Sequence, residues 1–450
     1  MEPFQYHLFV CMQEKPEGVK SCSAACSGDV LAVLHQELEK QGVAGAVQVS
    51  TCGCLGLCDE GPIVIAYPDG VWYRGVKPAD VPEIVASHLR SGQPVSRLVW
   101  DDAPAMRALI TEHGTQYRAM LRARDQAGIL PDDIHELIRG FMPSRAVLTA
   151  LELDVFTALG EGASTATVAG RINSSLRGTE MLLNVLAALK LVQKQNGIFR
   201  NTPISARFFI DASPDSARKA QLHTANLWHR WSQLTDSVRN GTPAPRMGNG
   251  EWTNTFISAM DRNARERSEA VVNAVGAAGI RRILDLGGGS AAYSIAFAKA
   301  NSELTAEVLD LPDVIPLTQD YVSKAGLAGR IHPRAGNMLS DPLGTGFDLV
   351  LLSAICHMFS PEENRALFQR VHAALAPGGR LLVQDFILQP EKTAPRFAAL
   401  FSLNMLVSTQ AGGTYSQPEY AAWLSEAGFR DIRRGQLQGP AGVLIAAKAC

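Results

Sequence analysis

Apolar and polar positions along the chain fall into blocks that predict four successive parts. In the first, residues 5–11 form a strand ending in a cysteine, and Val30, Leu31, Val33, Leu34 and Leu38 recur at helical spacing over residues 28–41. Residues 47–50 are a second strand running into a cysteine-rich loop, and residues 63–67 and 71–73 flank Pro68-Asp69-Gly70 as a hairpin. Residues 81–89 close the unit as a helix, giving a β-α-β-β-α order over residues 1–95. Residues 96–130 read as a helical linker: residues 106–126 make a charged amphipathic helix whose Leu and Met positions are expected to pack on a neighbouring domain.

Residues 131–245 are helical apart from one hairpin. Thr165 is expected to cap a helix, residues 182–191 are a strongly apolar helix, and Asn196-Gly197 turns a short hairpin. The order is that of a winged helix. Its recognition-helix position, residues 177–190, is nearly all apolar, whereas a helix for the major groove carries basic and polar side chains. This helix is built for a core or an interface.

The last part, residues 246–450, alternates strands and helices, and its centre is residues 281–313. Ile283-Leu284-Asp285-Leu286 is a short apolar strand ending next to Gly287-Gly288-Gly289; residues 294–299 are helical, and residues 306–309 form a second strand ending at Asp310. Glycines at a strand-to-helix turn let a ligand approach bare backbone, and an acid at the next strand tip can hold both hydroxyls of a ribose. Asp310 lies 25 positions after Asp285, close to the spacing of a nucleotide-binding βαβ unit. A dinucleotide site would want G-x-G-x-x-G, and here the run is D-x-G-G-G-S-A. Gly336-Asn337-Met338, the strand 347–353 and the turn and strand 376–383 follow in order. This succession resembles the class I S-adenosylmethionine (SAM)-dependent methyltransferases. Joined to the helical part, residues 130–448 resemble the small-molecule O-methyltransferases of the caffeate, acetylserotonin and bacteriochlorophyll type, whose N-terminal domain dimerises. The fold class expected is therefore α/β, with a helical winged-helix dimerisation domain, and the protein is expected to be a homodimer.

Composition adds exclusions. The 450 residues are 46% hydrophobic and 19% charged with a net charge of −2, so there is no basic footprint for nucleic acid. No apolar run approaches a membrane span, and the first residues lack a basic stretch followed by an apolar core. A cytoplasmic location is the expectation.

Cysteine use is lopsided. Six of eight cysteines fall at 11, 22, 26, 52, 54 and 58. In a protein of the cytosol such clustering favours metal over disulfide, and both a 2Fe-2S cluster and a structural zinc take four thiolates. Zinc sites usually show close pairs, two to four residues between the cysteines, at both ends, and here ten residues separate the first pair. The first-strand cysteine, Ser21-Cys22-Ser23, Cys54-Leu-Gly-Leu-Cys58-Asp-Glu-Gly-Pro and Tyr-Pro-Asp-Gly-Val-Trp-Tyr resemble the thioredoxin-like 2Fe-2S ferredoxins. That resemblance implies Cys11, Cys22, Cys54 and Cys58 as ligands, leaves Cys26 and Cys52 over, and admits a redox partner protein.

For the methyltransferase part, the resemblance implies Asp285, Gly287, Gly288 and Gly289 at the amino-acid moiety of SAM. It implies Asp310 with Leu311 at the ribose, Asn337 with Met338 at the adenine, and Ser353 at the carboxylate or ribose. Asn337 stands where the family usually has Asp, its amide being expected to bond the adenine amine, and Ala291 stands where Gly is commoner. Ser353-Ala-Ile-Cys-His357 resembles the family's string in which a His removes the acceptor proton, and Asp385 matches the acid that orients it. An imidazole titrates near neutrality, which suits a phenol. Thr414 stands where the plant enzymes have their second flanking acid, and Met358 where the family has the Asp after the catalytic His, which leaves C-, N- or S-methylation as an alternative to a hydroxyl acceptor, and a redox-responsive SAM-binding protein without turnover as another. Trp228, Trp231, Trp252, Phe256 and Met260 fall where such enzymes wall the acceptor pocket. The acceptor expected is an aromatic or polyene-like small molecule.

Overall fold

The strand β1 (Tyr6–Cys11) carries Leu8 and Val10 into one core and delivers Cys11 at its end. In the computed structural model, which describes residues 3–15, 20–128, 130–245, 252–435 and 441–449, the chain divides into two units, Met1–Gly140 and Phe141–Cys450. In the first unit β1 is followed by α1 (Ser27–Lys40), β2 (Val47–Cys52), β3 (Val64–Tyr67) and β4 (Val71–Tyr73). A short helix α2 (Val81–Glu83) widens into π-helical turns over Ile84–Leu89. The sheet order is β2-β1-β3-β4, with β1 parallel to β2 and the remaining pairs antiparallel. Val30 and Leu34 of α1 meet Leu8, Val64, Tyr73 and Ile84 in its core, as helical spacing on one side and strand alternation on the other require. The charged helix α3 (Ala103–Gln126), capped by the Asp102 carboxylate, and α4 (Asp132–Arg139) complete the unit. The apolar face of α3 packs on the cysteine end of this same unit, through Met106, Leu109 and Ile110.

The second unit opens with α5 (Phe141–Glu152), α6 (Val155–Leu159), β5 (Ala163–Ser164), α7 (Thr165–Arg171), α8 (Leu176–Ala188), β6 (Val192–Gln195) and β7 (Ile198–Asn201). The strands form a small sheet, β5-β7-β6, beside a core of Leu148, Leu151, Phe156, Leu183, Leu186 and Phe199. The cap of α7 is Ser164, whose hydroxyl accepts from Thr167 N at 3.2 Å, rather than Thr165. Ser164 has the extended backbone that a cap needs, and Thr165 is already helical. The helix α8 turns Leu183 and Leu186 inward yet leaves Leu176, Met181 and Val185 exposed on its other face, which suits an interface and not a nucleic-acid groove. The helices α9 (Pro203–Phe209), α10 (Arg218–Trp231), α11 (Leu234–Asn240) and α12 (Trp252–Val275) lead to the larger sheet.

That sheet is built from β8 (Arg282–Leu286), α13 (Ala292–Ala300), β9 (Thr305–Asp310), α14 (Ile315–Lys324), β10 (Ile331–Ala335), β11 (Phe347–Ser353), α15 (Pro361–Ala374) and β12 (Leu375–Asp385). It ends with α16 (Arg396–Ser408), α17 (Gln417–Glu426), β13 (Arg430–Gly435) and β14 (Gly442–Ala447). The order is β10-β9-β8-β11-β12-β14-β13, with β14 antiparallel to both neighbours and the first five strands parallel. Central parallel strands are covered on both faces, which is why β8 and β11 read as continuous apolar runs. A capping box of Ser360 and Glu363 fixes the start of α15, and one of Ser416 and Glu419 starts α17. The order reverses between β8 and β11, so the carboxyl ends of β8, β9, β11 and β12 open on a switch-point crevice. The chain is thus α/β in its larger part, with a helical domain before it. Among the described residues no helix is long and apolar enough to cross a membrane.

Candidate active site

The turn after β8 is shaped by what it cannot hold. A Cβ on Gly288 would lie 2.7 Å from Val308 Cγ1 and 2.8 Å from the Asp285 carboxyl carbon; one on Gly287 would overlap Ile355. Gly287 and Gly289 also have φ of +67° and +56°. Asp285 is 1% exposed: Ser294 donates to its Oδ2 at 2.7 Å, and its Oδ1 is buried without a partner. Burial, aided by the Asp310 charge, lifts the Asp285 carboxyl to about 6 in spite of the Ser294 hydrogen bond. Asp310 accepts from Gly289 N at 2.8 Å and Leu311 N at 2.7 Å, so the acid and the glycine turn are locked together; burial raises its pKa as well. Thr318 donates to Gly289 O at 2.6 Å and holds the turn from the other side.

The rest of the expected cofactor set is less uniform. Leu311 and Asn337 lie exposed on the rim, and Met338 packs over Gly287. The Asn337 Oδ1 accepts from Leu339 N at 2.9 Å. Ser353 donates to Gln384 Oε1 at 2.6 Å, and Tyr293 donates to the same oxygen at 2.9 Å. Sequence reasoning did not single out Gln384 or Tyr293. Ala291 is fully buried with φ +61°, a conformation in which glycine would be unstrained.

His357 lies in a short 3-10 turn after β11, in a loop that α15 follows, and Asp385 ends the adjacent strand β12. His357 Nδ1 is 2.6 Å from Asp385 Oδ1, and its backbone N donates to Asp385 Oδ2 at 3.1 Å. Phe386 N and the Tyr420 hydroxyl also donate to this carboxylate, at 2.8 and 3.3 Å. Burial first, then the Asp385 charge, pushes the Tyr420 phenol well above its usual range, so it stays a donor. The acid therefore holds Nδ1–H and leaves the Nε2 lone pair free to take a proton. Gly413 N donates to His357 O at 3.0 Å, and a Cβ on Gly412 would overlap that same oxygen. Thr414 does not face the imidazole; it donates to Ala398 O at 3.0 Å and meets Ser402.

An aromatic wall stands beside His357. Phe401 meets the imidazole edge-on at 4.9 Å between centroids, Phe386 lies 4.4 Å from Phe401, and Phe397, nearly half exposed, lies 5.0 Å from Phe386. The tryptophans expected at the acceptor pocket divide. Trp228 packs on the helical core beside Phe141 and Arg145, while Trp231 donates to Asn404 of α16 at 3.0 Å. Phe256 stands edge-on to His223 and Met260 is half-buried; the side chain of Trp252 lies outside the described residues.

Residues 135–211 match an O-methyltransferase dimerisation domain, and residues 231–430 match an O-methyltransferase domain. A 3-hydroxy-5-methyl-1-naphthoate 3-O-methyltransferase of Streptomyces sahachiroi is 31% identical over 331 residues, covering 71% of this chain and 96% of the relative. The chain belongs to the SAM-dependent O-methyltransferases. The tetracenomycin 8-O-methyltransferase TcmO of Streptomyces glaucescens is 30% identical, over 71% of this chain and 97% of that protein. The structure of PigF with S-adenosylhomocysteine superposes with a TM-score of 0.67 at 26% identity, covering 71% of this chain and all of PigF. Human N-acetylserotonin methyltransferase with SAM gives a TM-score of 0.64 at 26% identity, covering 70% of this chain and 97% of that one. As an O-methyltransferase of small molecules, the enzyme uses SAM, and its dimerisation domain supports a homodimer.

In the first unit the cysteines converge as two pairs. Cys11 and Cys22 are both buried, and the proximity of the two sulfurs holds the Cys11 thiol below its usual range and pushes Cys22 above it; Cys54 and Cys58 lie 3.5 Å apart, sulfur to sulfur. A Cβ on Gly61 would press on the Cys22 sulfur at 2.5 Å. Cys52 faces Cys11 across β1 and β2, and Cys26 starts α1 with φ +75°. Among the described residues no group of three or more His, Cys, Asp or Glu closes around a single metal ion.

Proposed function

We propose that the enzyme methylates a phenolic hydroxyl of a planar aromatic small molecule, with His357 as general base and Asp385 as its orienting acid. The observation that carries this is the 2.6 Å His357–Asp385 contact beside the wall of Phe386, Phe397 and Phe401. A flat apolar acceptor fits such a wall, and its hydroxyl proton would pass to His357 Nε2 while Asp385 steadies the cation that forms. The cofactor set fits SAM: the glycine cradle admits backbone approach, and the partnerless Asp285 Oδ1 suits an ammonium group. Asp310 would take the ribose hydroxyls, with Leu311, Asn337, Met338 and Ser353 lining the remainder. Bound SAM supplies a methyl group on a positively charged sulfur. The residues of this chain align the acceptor oxygen with that methyl, exclude water with the phenylalanines and remove the proton. Relatives acting on naphthoate and tetracenomycin hydroxyls support an O-linked product over carbon methylation.

The first unit we read as a thioredoxin-like 2Fe-2S ferredoxin module with Cys11, Cys22, Cys54 and Cys58 as ligands. Its β-α-β-β-α order and two thiol pairs support that reading. Four sulfurs held as two pairs suit two irons better than the closed tetrahedron of one zinc. Such a cluster would supply one-electron chemistry or a redox-dependent charge to the module.

The test takes the full-length protein, SAM and 3-hydroxy-1-naphthoate or a panel of phenols, with wild type and His357→Gln compared by mass spectrometry of the product. An O-methyl product formed by the wild type and lost in the variant, with SAM affinity kept, is expected. A C-methyl product, or equal turnover by the variant, would refute the base.

A further inference from the structure

One face of α3 runs along the loop that carries Cys54 and Cys58. Met106, Ile110, His113 and Tyr117 recur at three- and four-residue steps and so form one stripe. Met106, Leu109 and Ile110 pack among Cys11, Cys22, Leu57 and Trp100. Ile110 occupies the room that Gly56 leaves: a Cβ on Gly56, whose φ is +79°, would lie 3.2 Å from Ile110 Cα. One turn further, His113 Nδ1 lies 2.7 Å from the Gly56 carbonyl oxygen and Nε2 lies 3.2 Å from the Asp59 carboxylate. One turn beyond that, the Lys15 ammonium stands 5.7 Å from the centre of the Tyr117 ring. Successive turns of α3 therefore touch the loop that carries the two thiols, and the last of them holds Lys15 over the Tyr117 ring.

We propose that α3 is a fitted cap on the four-cysteine site rather than a tether, so that filling of the site and docking of α3 are linked equilibria. The proposal deepens the cluster reading above and depends on it only for what fills the site. Linkage is reciprocal: whatever binds the thiols better when α3 is docked must in turn hold α3 down. The chain continues from α3 through α4 to the end of this unit at Gly140. A flexible linker of polar residues would carry no such dependence.

The test uses the full-length chain with Ile110→Asp and, as the milder change, His113→Ala, whose side chain is about a quarter exposed. In the metal-free protein, the rate at which iodoacetamide modifies Cys58 is followed by mass spectrometry. Losing one hydrogen-bonded contact should raise the rate about fivefold in His113→Ala, and Ile110→Asp should raise it further. After reconstitution with ferrous iron and sulfide, bleaching by an iron chelator should accelerate in the same order. Unchanged modification of Cys58 in both variants would overturn the cap. A wild-type chain that takes up no iron would overturn the cluster instead, and the modification rates would still decide the cap.

Discussion

Asp285→Asn should make the unliganded enzyme more stable while it ruins the cofactor site. The Asp285 carboxylate is buried with one oxygen partnerless, and burial lifts its pKa to about 6 from the ordinary 3.8. A folded-state pKa above the unfolded one means that ionisation opposes folding. The cost is fully present above pH 6, fades as pH falls through 6, and is gone below about 4. Roughly two pH units correspond to about 3 kcal/mol. The asparagine keeps the Ser294 hydrogen bond but leaves an NH₂ unpartnered, which takes back about 1–2 kcal/mol. A net gain of about 1–2 kcal/mol is expected at pH 8, and no gain, or a small loss, at pH 4.5. Because the two units need not unfold together, urea unfolding should be read from the exchange protection of β8 amides in the absence of SAM. SAM affinity should fall at least about tenfold, as a charged partner is lost, and in the wild type it should weaken as pH drops through 6. A variant destabilised equally at both pH values would refute the reasoning, because burial of charge would then not be what raises the pKa.

Other outcomes follow from the same geometry. Asp385→Asn should cut kcat by about a hundredfold or more, by losing the charge and the tautomer control on His357, with SAM binding intact; equal kcat would remove the acid from the mechanism. Gly412→Ala places a methyl on the His357 carbonyl and should lower kcat about tenfold at unchanged SAM affinity, since a displaced base misses its proton. Phe401→Ala should raise the acceptor KM more than it lowers kcat, because the ring makes contact area and no chemistry. Cys58→Ala should abolish iron uptake upon reconstitution while Cys26→Ala leaves two irons per chain; an iron-loaded Cys58→Ala would discard the ligand set.

The βαβ unit was legible from local order, an apolar run, a glycine turn and an acid at a strand tip, whereas His357 and Asp385 were named by resemblance to a family string and the fold puts them 2.6 Å apart. The four cysteines were named by resemblance to a family motif, since only Cys11 ends a strand and Cys58 opens a short 3-10 turn, while Cys22 and Cys54 lie in turns and loops. What was hidden depends on partners far away in the chain. The apolar residues of α16 go almost all the way round the helix, so its pattern does not mark out Phe397 and Phe401, which stand beside Phe386 and His357 only in the fold. The stripe of α3 was visible, but periodicity names a buried face and not what buries it. Asn337 and Thr414 were read by the side chains they replace, whereas their own hydrogen bonds turn Asn337 toward Leu339 and Thr414 toward α16.

The clasp around His357 constrains how the enzyme can change its substrate. Gly413 holds the His357 carbonyl, and the next residue, Thr414, holds Ala398 of α16, the helix that carries Phe397 and Phe401. The base and the acceptor wall are thus fastened to consecutive residues of one loop. New specificities that move α16 bodily would misplace the imidazole, so tolerated diversification should gather at the half-exposed side chains of Phe397 and Leu400, which can be resized without pulling on the loop.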